Sequence, residues 1–173
     1  MKKVFIASAI AMSLAAGSAM AANNQQDEIQ FHGVVTDVTC DIDTNIDGNV
    51  TNVVQLGTIQ KGGTGDVKNI VLKAKGANCS GLANKTATIS FMGGLGDQGV
   101  SNVNGSAEKA RVELKAKNSK TPGTAINKTM NSVDFEAEKI NSDGYQFEAK
   151  LISDAAGTVG TFESAVSYAV TYS

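Results

Sequence analysis

Four oxygen-bearing side chains recur at every second position in the first third of the chain: Asp41, Asp43, Asn45 and Asp47. This spacing matches the first ligands of a calcium-binding loop of the EF-hand type. Such a loop also needs a glycine at its sixth position and a bidentate glutamate at its twelfth, where this chain has Ile46 and Asn52. The pattern therefore predicts a solvated acidic turn, with weak calcium binding as the alternative.

A glycine-rich motif, GLGDQG, occupies residues 94–99 and matches the GxGxxG fingerprint of dinucleotide sites. Such a site needs a helix that begins at the last glycine, because the N-terminus of the helix holds the pyrophosphate. The residues that follow, VSNVNGSAE, are poor helix starters. We therefore expect a hairpin loop here and no bound cofactor.

Catalytic chemistry has little support elsewhere in the sequence. The chain has one histidine, His32, which excludes zinc or copper sites built from several imidazoles. His32 lies between Phe31 and Gly33, in a position typical of a solvated strand residue. The lysines are scattered through a chain of net charge −2, which gives nucleic acid no basic patch. We expect a protein that is not an enzyme and has no cofactor or metal.

The N-terminus has the pattern of a secretory signal peptide. Lys2 and Lys3 precede an apolar run over residues 4–16, and Ala19-Met20-Ala21 is a small-x-small cleavage site. Cleavage after Ala21 would leave 152 residues with a net charge of about −4. The sequence thus predicts an exported mature protein.

Two cysteines, Cys40 and Cys79, are present. An even cysteine count in an exported chain favours a disulfide, and two buried free thiols are the alternative. In the chain-entropy model, closing a loop of this size stabilises the fold by roughly 3–4 kcal/mol.

The elements that position these residues are predicted to be short β-strands. The chain has 18 glycines and one proline, and alternating apolar runs are separated by turn residues such as Gly62-Gly63 and Asp143-Gly144. The runs cover residues 53–59, 67–74, 87–92, 110–116, 133–137, 145–152 and 160–173. One sandwich domain of about seven strands is the expected fold.

The last predicted strand alternates with strict period two. Its even positions form one set, Gly160, Phe162, Ser164, Val166, Tyr168, Val170 and Tyr172, whereas its odd positions carry small or polar residues. Because side chains on a strand alternate between two faces, this segment has one apolar, aromatic-rich face and one solvated face. By itself the pattern also fits the final strand of any β-domain.

The segment before Cys40 changes its apolar phase at Gly33. Ile29 and Phe31 occupy odd positions, whereas Val34 and the apolar residues after it occupy even ones. A one-residue phase change reverses the buried face. Gly33 is therefore either a β-bulge within one strand or a hinge between two strands that serve different cores.

Together these features resemble the subunits of chaperone–usher fimbriae of the type 1-like class. The resemblance is carried by the signal peptide, EIQFHG before the first cysteine, VQLGTI at residues 54–59, Cys79 and the tail AVSYAVTYS. It implies an all-β, incomplete immunoglobulin-like sandwich that is completed by a strand from a neighbouring subunit. The implied organisation is a signal peptide (1–21), a donor-strand arm (22–33) and a pilin domain (34–173).

The resemblance also implies sites and partners. Ile29, Phe31 and Gly33 would belong to the donated strand. The acceptor groove would be bordered by Gly160, Phe162, Val166, Tyr168, Val170 and Tyr172. The partners would be identical or homologous subunits, a periplasmic chaperone and an outer-membrane usher, and a host glycan or protein receptor stays open. The product would be a fimbrium on the bacterial surface, with this chain as a major shaft subunit or, second, a minor one.

A self-contained secreted β-sandwich that binds carbohydrate, as a small lectin does, is the alternative function. Residues 22–33 would then form an edge strand of their own domain, and the protein would fold as a monomer.

Overall fold

The computed structural model describes residues 40–76 and 78–173. This part of the chain is a two-sheet β-sandwich with eleven strands. The strands are β1 (Ile42–Ile46), β2 (Asn49–Val50), β3 (Lys68–Ala74), β4 (Thr86–Met92), β5 (Leu95–Gly96), β6 (Gly99–Ser101), β7 (Ala110–Ala116), β8 (Ala125–Ile126), β9 (Ser132–Glu136), β10 (Tyr145–Ser153) and β11 (Ser167–Tyr172). A short 3-10 helix covers Ala137–Asn141.

The larger sheet has the order β2-β1-β3-β10-β7-β6-β5, with β8 also paired to β7. The smaller sheet has the order β11-β4-β9, so β11 is an edge strand within the described residues. Every pairing between these strands is antiparallel. The expected all-β sandwich is confirmed.

Aromatic side chains from both sheets fill the centre of the sandwich. Phe91 of β4 meets Phe147 of β10 edge-on, with ring centroids 5.3 Å apart. Phe135 of β9 contacts Tyr145 and Phe147 at 5.0 and 5.4 Å. The inward positions of β4, β7, β9 and β10 alternate with less buried ones, as their sequences predict. This core joins the two sheets, and Tyr168, Val170 and Tyr172 of β11 pack against it.

Five of the predicted strands agree with β3, β4, β7, β9 and β10 to within one residue at each end. The strand predicted over residues 53–59 is wrong, because this segment is irregular and no backbone hydrogen bond joins residues 54–59 to any described residue. The acidic turn is also corrected: Asp43 and Asn45 lie within β1, which forms a hairpin with β2. β5, β6 and β8 are too short to have produced an alternating signal.

A disulfide joins Cys40 and Cys79, whose Cα atoms are 5.3 Å apart. Asn141, at the end of the 3-10 helix, binds both backbone groups of Cys79. Its Oδ1 accepts from the Cys79 N–H at 2.8 Å, and its Nδ2 donates to the Cys79 carbonyl at 2.8 Å. The disulfide therefore connects the beginning of β1 to a segment that is itself held against the core.

Across the described residues, no helix combines the length and the apolar character that a membrane crossing requires.

Candidate functional site: a groove between the two sheets

An apolar groove of about 610 Å³ opens between the two sheets along one side of the sandwich. One wall consists of residues 52–56 together with β1, and the other runs from Phe162 to Tyr168. The floor is made of core side chains. These are Ile70, Leu72, Phe91, Val100, Val112, Leu114, Phe147 and Ala149. Core side chains therefore form the bottom of this groove.

A second cavity of about 650 Å³ continues the groove toward residues 158–161. The two cavities share Val54, Gln55, Leu56 and Phe162 in their walls. The irregular segment 54–59 borders both cavities, with residues 158–168 facing it. The result is one elongated groove whose two long walls approach each other without pairing.

The wall formed by residues 160–166 presents unpaired backbone groups to the groove. The N–H and C=O groups of Thr161 and Glu163 bond to Asn102, to Ser106 and to the backbone of residues 103–107. Gly160, Phe162, Ser164 and Val166 have no backbone hydrogen bond to any described residue. In an extended chain, successive residues direct their backbone groups to opposite sides, so the even positions face the open edge.

β11 continues this edge. Thr86 and Ser173 exchange both of their backbone hydrogen bonds, at 2.8 and 3.0 Å. Residues two apart along an antiparallel ladder bond in the same direction, so the odd positions of β11 bond to β4. The backbone groups of Tyr168, Val170 and Tyr172 therefore point away from β4. From Gly160 to Tyr172, the even residues combine inward side chains with outward-facing backbone groups.

The predicted groove residues fall into three groups. Phe162, Val166 and Tyr168 line the apolar groove, and Gly160 lines the second cavity. Val170 and Tyr172 pack against the core but do not line either cavity. The paired strand begins at Ser167 and not at Gly160, because Thr161 and Glu163 bond to loop residues 102–107 and not to a strand.

The glycine at position 160 has a packing role. A Cβ atom there would lie 2.6 Å from the backbone nitrogen of Ala107. Real Cβ atoms do not approach so closely, so a larger residue would push residues 160–163 away from the 102–107 loop. Gly160 thus holds the groove wall in place, although it does not begin a strand.

Comparison with known proteins places the chain in a family. It is 38% identical over 174 residues to the F107 fimbrial protein of Escherichia coli, and the match covers 99% of each chain. The chain belongs to the fimbrial proteins. It is also 29% identical over 154 residues to the K99 fimbrial protein of Escherichia coli, covering 83% of this chain and 85% of that one. No protein-family model matches this fimbrial subunit.

The fold of this fimbrial subunit is similar to a solved pilin structure. The P pilus rod subunit PapA superposes with a TM-score of 0.51 at 16% sequence identity, covering 84% of this chain and 100% of that one. Together the comparisons show a structural, non-enzymatic subunit that assembles with other subunits into a fimbrium on the cell surface.

The other motifs of the fimbrial subunit serve its fold. Residues 94–99 form the β5–β6 hairpin, as expected for that motif. Asp43 and Asn45 lie two residues apart along β1, where side chains of one face are separated by almost 7 Å and do not converge on an ion. Asp47 instead accepts a backbone hydrogen bond from Asn69 and forms an ion pair with Lys68 at 3.5 Å. These contacts lower the pKa of Asp47, with the Asn69 bond as the main cause.

The arm of the fimbrial subunit, with Ile29, Phe31, His32 and Gly33, lies outside the described residues, as does the predicted signal peptide. Their assigned roles remain predictions.

The sequence did not identify Thr44 as a residue of the groove. Thr44, on the inward face of β1, forms a hydrogen bond of 3.1 Å with the Tyr168 hydroxyl on the opposite sheet. The available signal was a threonine between Ile42 and Ile46, in a strand whose alternate positions are otherwise apolar. The acidic residues at the intervening positions masked that pattern.

Proposed function

We propose that the groove accepts a β-strand donated by the arm (residues 22–33) of another subunit, so that subunits polymerise by donor-strand exchange. The observation that carries this proposal is the open edge from Gly160 to Tyr168, with its unpaired backbone groups beside a floor of core side chains. An added strand would supply main-chain hydrogen bonds to this edge and side chains to the groove.

The arm has the pattern and the length for this role. Ile29, Phe31 and Gly33 alternate with the polar residues Gln30 and His32, so one face suits an apolar floor. Twelve extended residues span about 40 Å, whereas the wall from 160 to 168 spans about 30 Å. Burial of Ile29 and Phe31 would stabilise the junction by roughly 1.5–3 kcal/mol each.

The proposal includes two further partners, which the family resemblance implies. A subunit with an open groove exposes apolar surface and an unpaired strand edge, which favours aggregation before assembly. We therefore include in the proposal a periplasmic chaperone that covers the groove first and an outer-membrane usher at which the arm of the next subunit replaces it. Successive head-to-tail contacts that do not close produce a filament.

A refolding experiment tests acceptance of the strand. The mature chain carrying Phe31→Asp, which disables its own arm, is refolded with or without a synthetic peptide of residues 22–33. We expect aggregation without the peptide, and a cooperatively unfolding 1:1 complex with it. A peptide with Phe31→Asp should fail, since a buried unpaired carboxylate costs several kcal/mol, whereas one with His32→Asp should succeed. A stable monomer without peptide would contradict the proposal and favour the lectin-like alternative.

A further inference from the structure

The hydrogen bond between Thr44 and Tyr168 joins β1 of the larger sheet to β11 of the smaller one. Further along β11, the Tyr172 hydroxyl interacts with that of Tyr145 on β10, but neither of these two tyrosines lines the groove. The side chains of Thr44 and Tyr168 both point into the space between the sheets, and both line the groove. The bond therefore crosses the open side of the sandwich.

The same two residues mark where the groove ends. On the segment that leads into β11, Val166 and then Tyr168 line the groove, whereas Val170 does not. Along β1, Ile46 and Thr44 line it, whereas Ile42 packs on the core beyond it. On β3, Leu72, the partner of Thr44, is likewise the last lining residue. The last lining residues of β1, β3 and β11 therefore place the end of the groove at the same position.

We infer that the Thr44–Tyr168 pair is an end stop that sets the register of the donated strand. This inference rests on the proposed function of the groove. A strand that enters between the walls can fill the floor up to Tyr168, but to continue it must break the hydroxyl pair and separate the sheets. Both hydroxyls would then lose their partners in apolar surroundings, which is unfavourable. The stop thereby selects which arm residues face the floor.

Peptide length provides the test. The mature chain with Phe31→Asp is refolded with fluorescent peptides of residues 22–33, lengthened or shortened at either end in steps of two residues. The dissociation rate is followed by anisotropy after addition of unlabelled peptide. For the unmodified groove, the dissociation rate should fall as the peptide is lengthened and should stop falling at a defined length. In a Tyr168→Ala groove, the limit should move out by at least two residues, with the longest peptide dissociating about threefold or more slower than the peptide at the old limit.

Val170→Ala is the matched control, because it truncates the next inward residue of β11 beyond the stop, and its length limit should equal that of the unmodified groove. The same limit in Tyr168→Ala, or a shifted limit in Val170→Ala, would overturn the inference. Failure of every peptide to bind the unmodified groove would instead refute the proposed function itself.

Two milder variants cover the case in which Tyr168→Ala does not fold. Thr44→Val and Tyr168→Phe each remove one hydroxyl and keep the shape of the side chain. Each should accelerate the binding of peptides longer than the limit, and the double variant should add little, since both changes break one bond. Additive effects, or effects equal for short and long peptides, would show that the pair has no role in the register.

Discussion

At the scale of single residues, the buried tyrosines connect the core to solution pH. The Tyr145 side chain is fully buried, and its hydroxyl donates to the Ala137 carbonyl at 2.8 Å. Burial raises the pKa of Tyr145 far above its ordinary value, with a smaller contribution from nearby Tyr172, whose pKa is itself raised by burial. Both phenols therefore stay protonated in the folded state at pH values where an unfolded chain loses these protons.

The consequence is a loss of stability in alkali. The unfolded phenols titrate near pH 10 and the folded ones above it, so the unfolded state binds fewer protons above about pH 10, and stability falls as pH rises. We expect the free energy of unfolding of the peptide-complemented subunit to be level below this range and to decline above it. Tyr145→Phe should lose about 1 kcal/mol at neutral pH, because the Ala137 carbonyl loses its donor, but should decline less steeply. Denaturant titrations from pH 7 to 11 would show this, and parallel slopes would contradict it.

At the scale of elements, the groove wall depends on two faces of one extended segment. Val166 is half-buried and lines the groove, whereas the next residue, Ser167, is exposed. A charge on the inward face should be buried under the donated strand without a partner, while a charge on the outer face stays in water. The two positions therefore form a matched pair.

We expect Val166→Asp to lower the yield of surface fimbriae by more than about tenfold, the equivalent of 1.4 kcal/mol, and Ser167→Asp to leave it nearly unchanged. Electron microscopy and quantification of sheared fimbriae from cells that produce each variant would measure the difference. Equal yields would mean that the inward face of this wall is not covered during assembly.

Residues 53–59 turn apolar side chains inward, as predicted, but do not pair with a strand. Val54 is half-buried, and Leu56 and Ile59 are half-buried against the core, as their apolar character suggests. The segment is nevertheless no strand, because no described strand lies beside it to accept its backbone bonds. Gly57, with φ of +75°, also interrupts an extended backbone. Under the proposed function, this segment is the second wall beside an inserted strand.

At the scale of the whole molecule, giving and accepting a strand are separate functions of one chain. Deletion of residues 22–33 should leave the groove unchanged, because every groove residue named above lies between 44 and 168. Such a subunit should still be captured by its chaperone but should not extend a filament.

Co-purification of the deleted subunit with the chaperone, together with its fimbrial yield, measures both functions. The full-length subunit with His32→Asp is the control, since this residue alternates away from the apolar face of the arm and should support normal filaments. Normal filaments from the deleted subunit, or loss of chaperone capture, would refute the donor role.

The sequence by itself determined the features that depend on local pattern. Alternation placed β3, β4, β7, β9 and β10 almost to the residue, and the same period identified the inward face of residues 162–172, because side-chain direction in an extended chain is set locally. The even cysteine count in an exported chain favoured the disulfide that the structure contains. The family resemblance, confirmed by the fimbrial relatives, supplied the expectation of an open groove.

Only the tertiary structure decided which segments pair as strands and where the groove ends. Whether an alternating segment joins a ladder depends on a neighbour distant in sequence, which is why residues 53–59 are unpaired and β11 begins at Ser167. The end of the groove depends on a contact between Thr44 and Tyr168, 124 positions apart in sequence. No local period encodes such a contact, because it arises only when two sheets pack face to face.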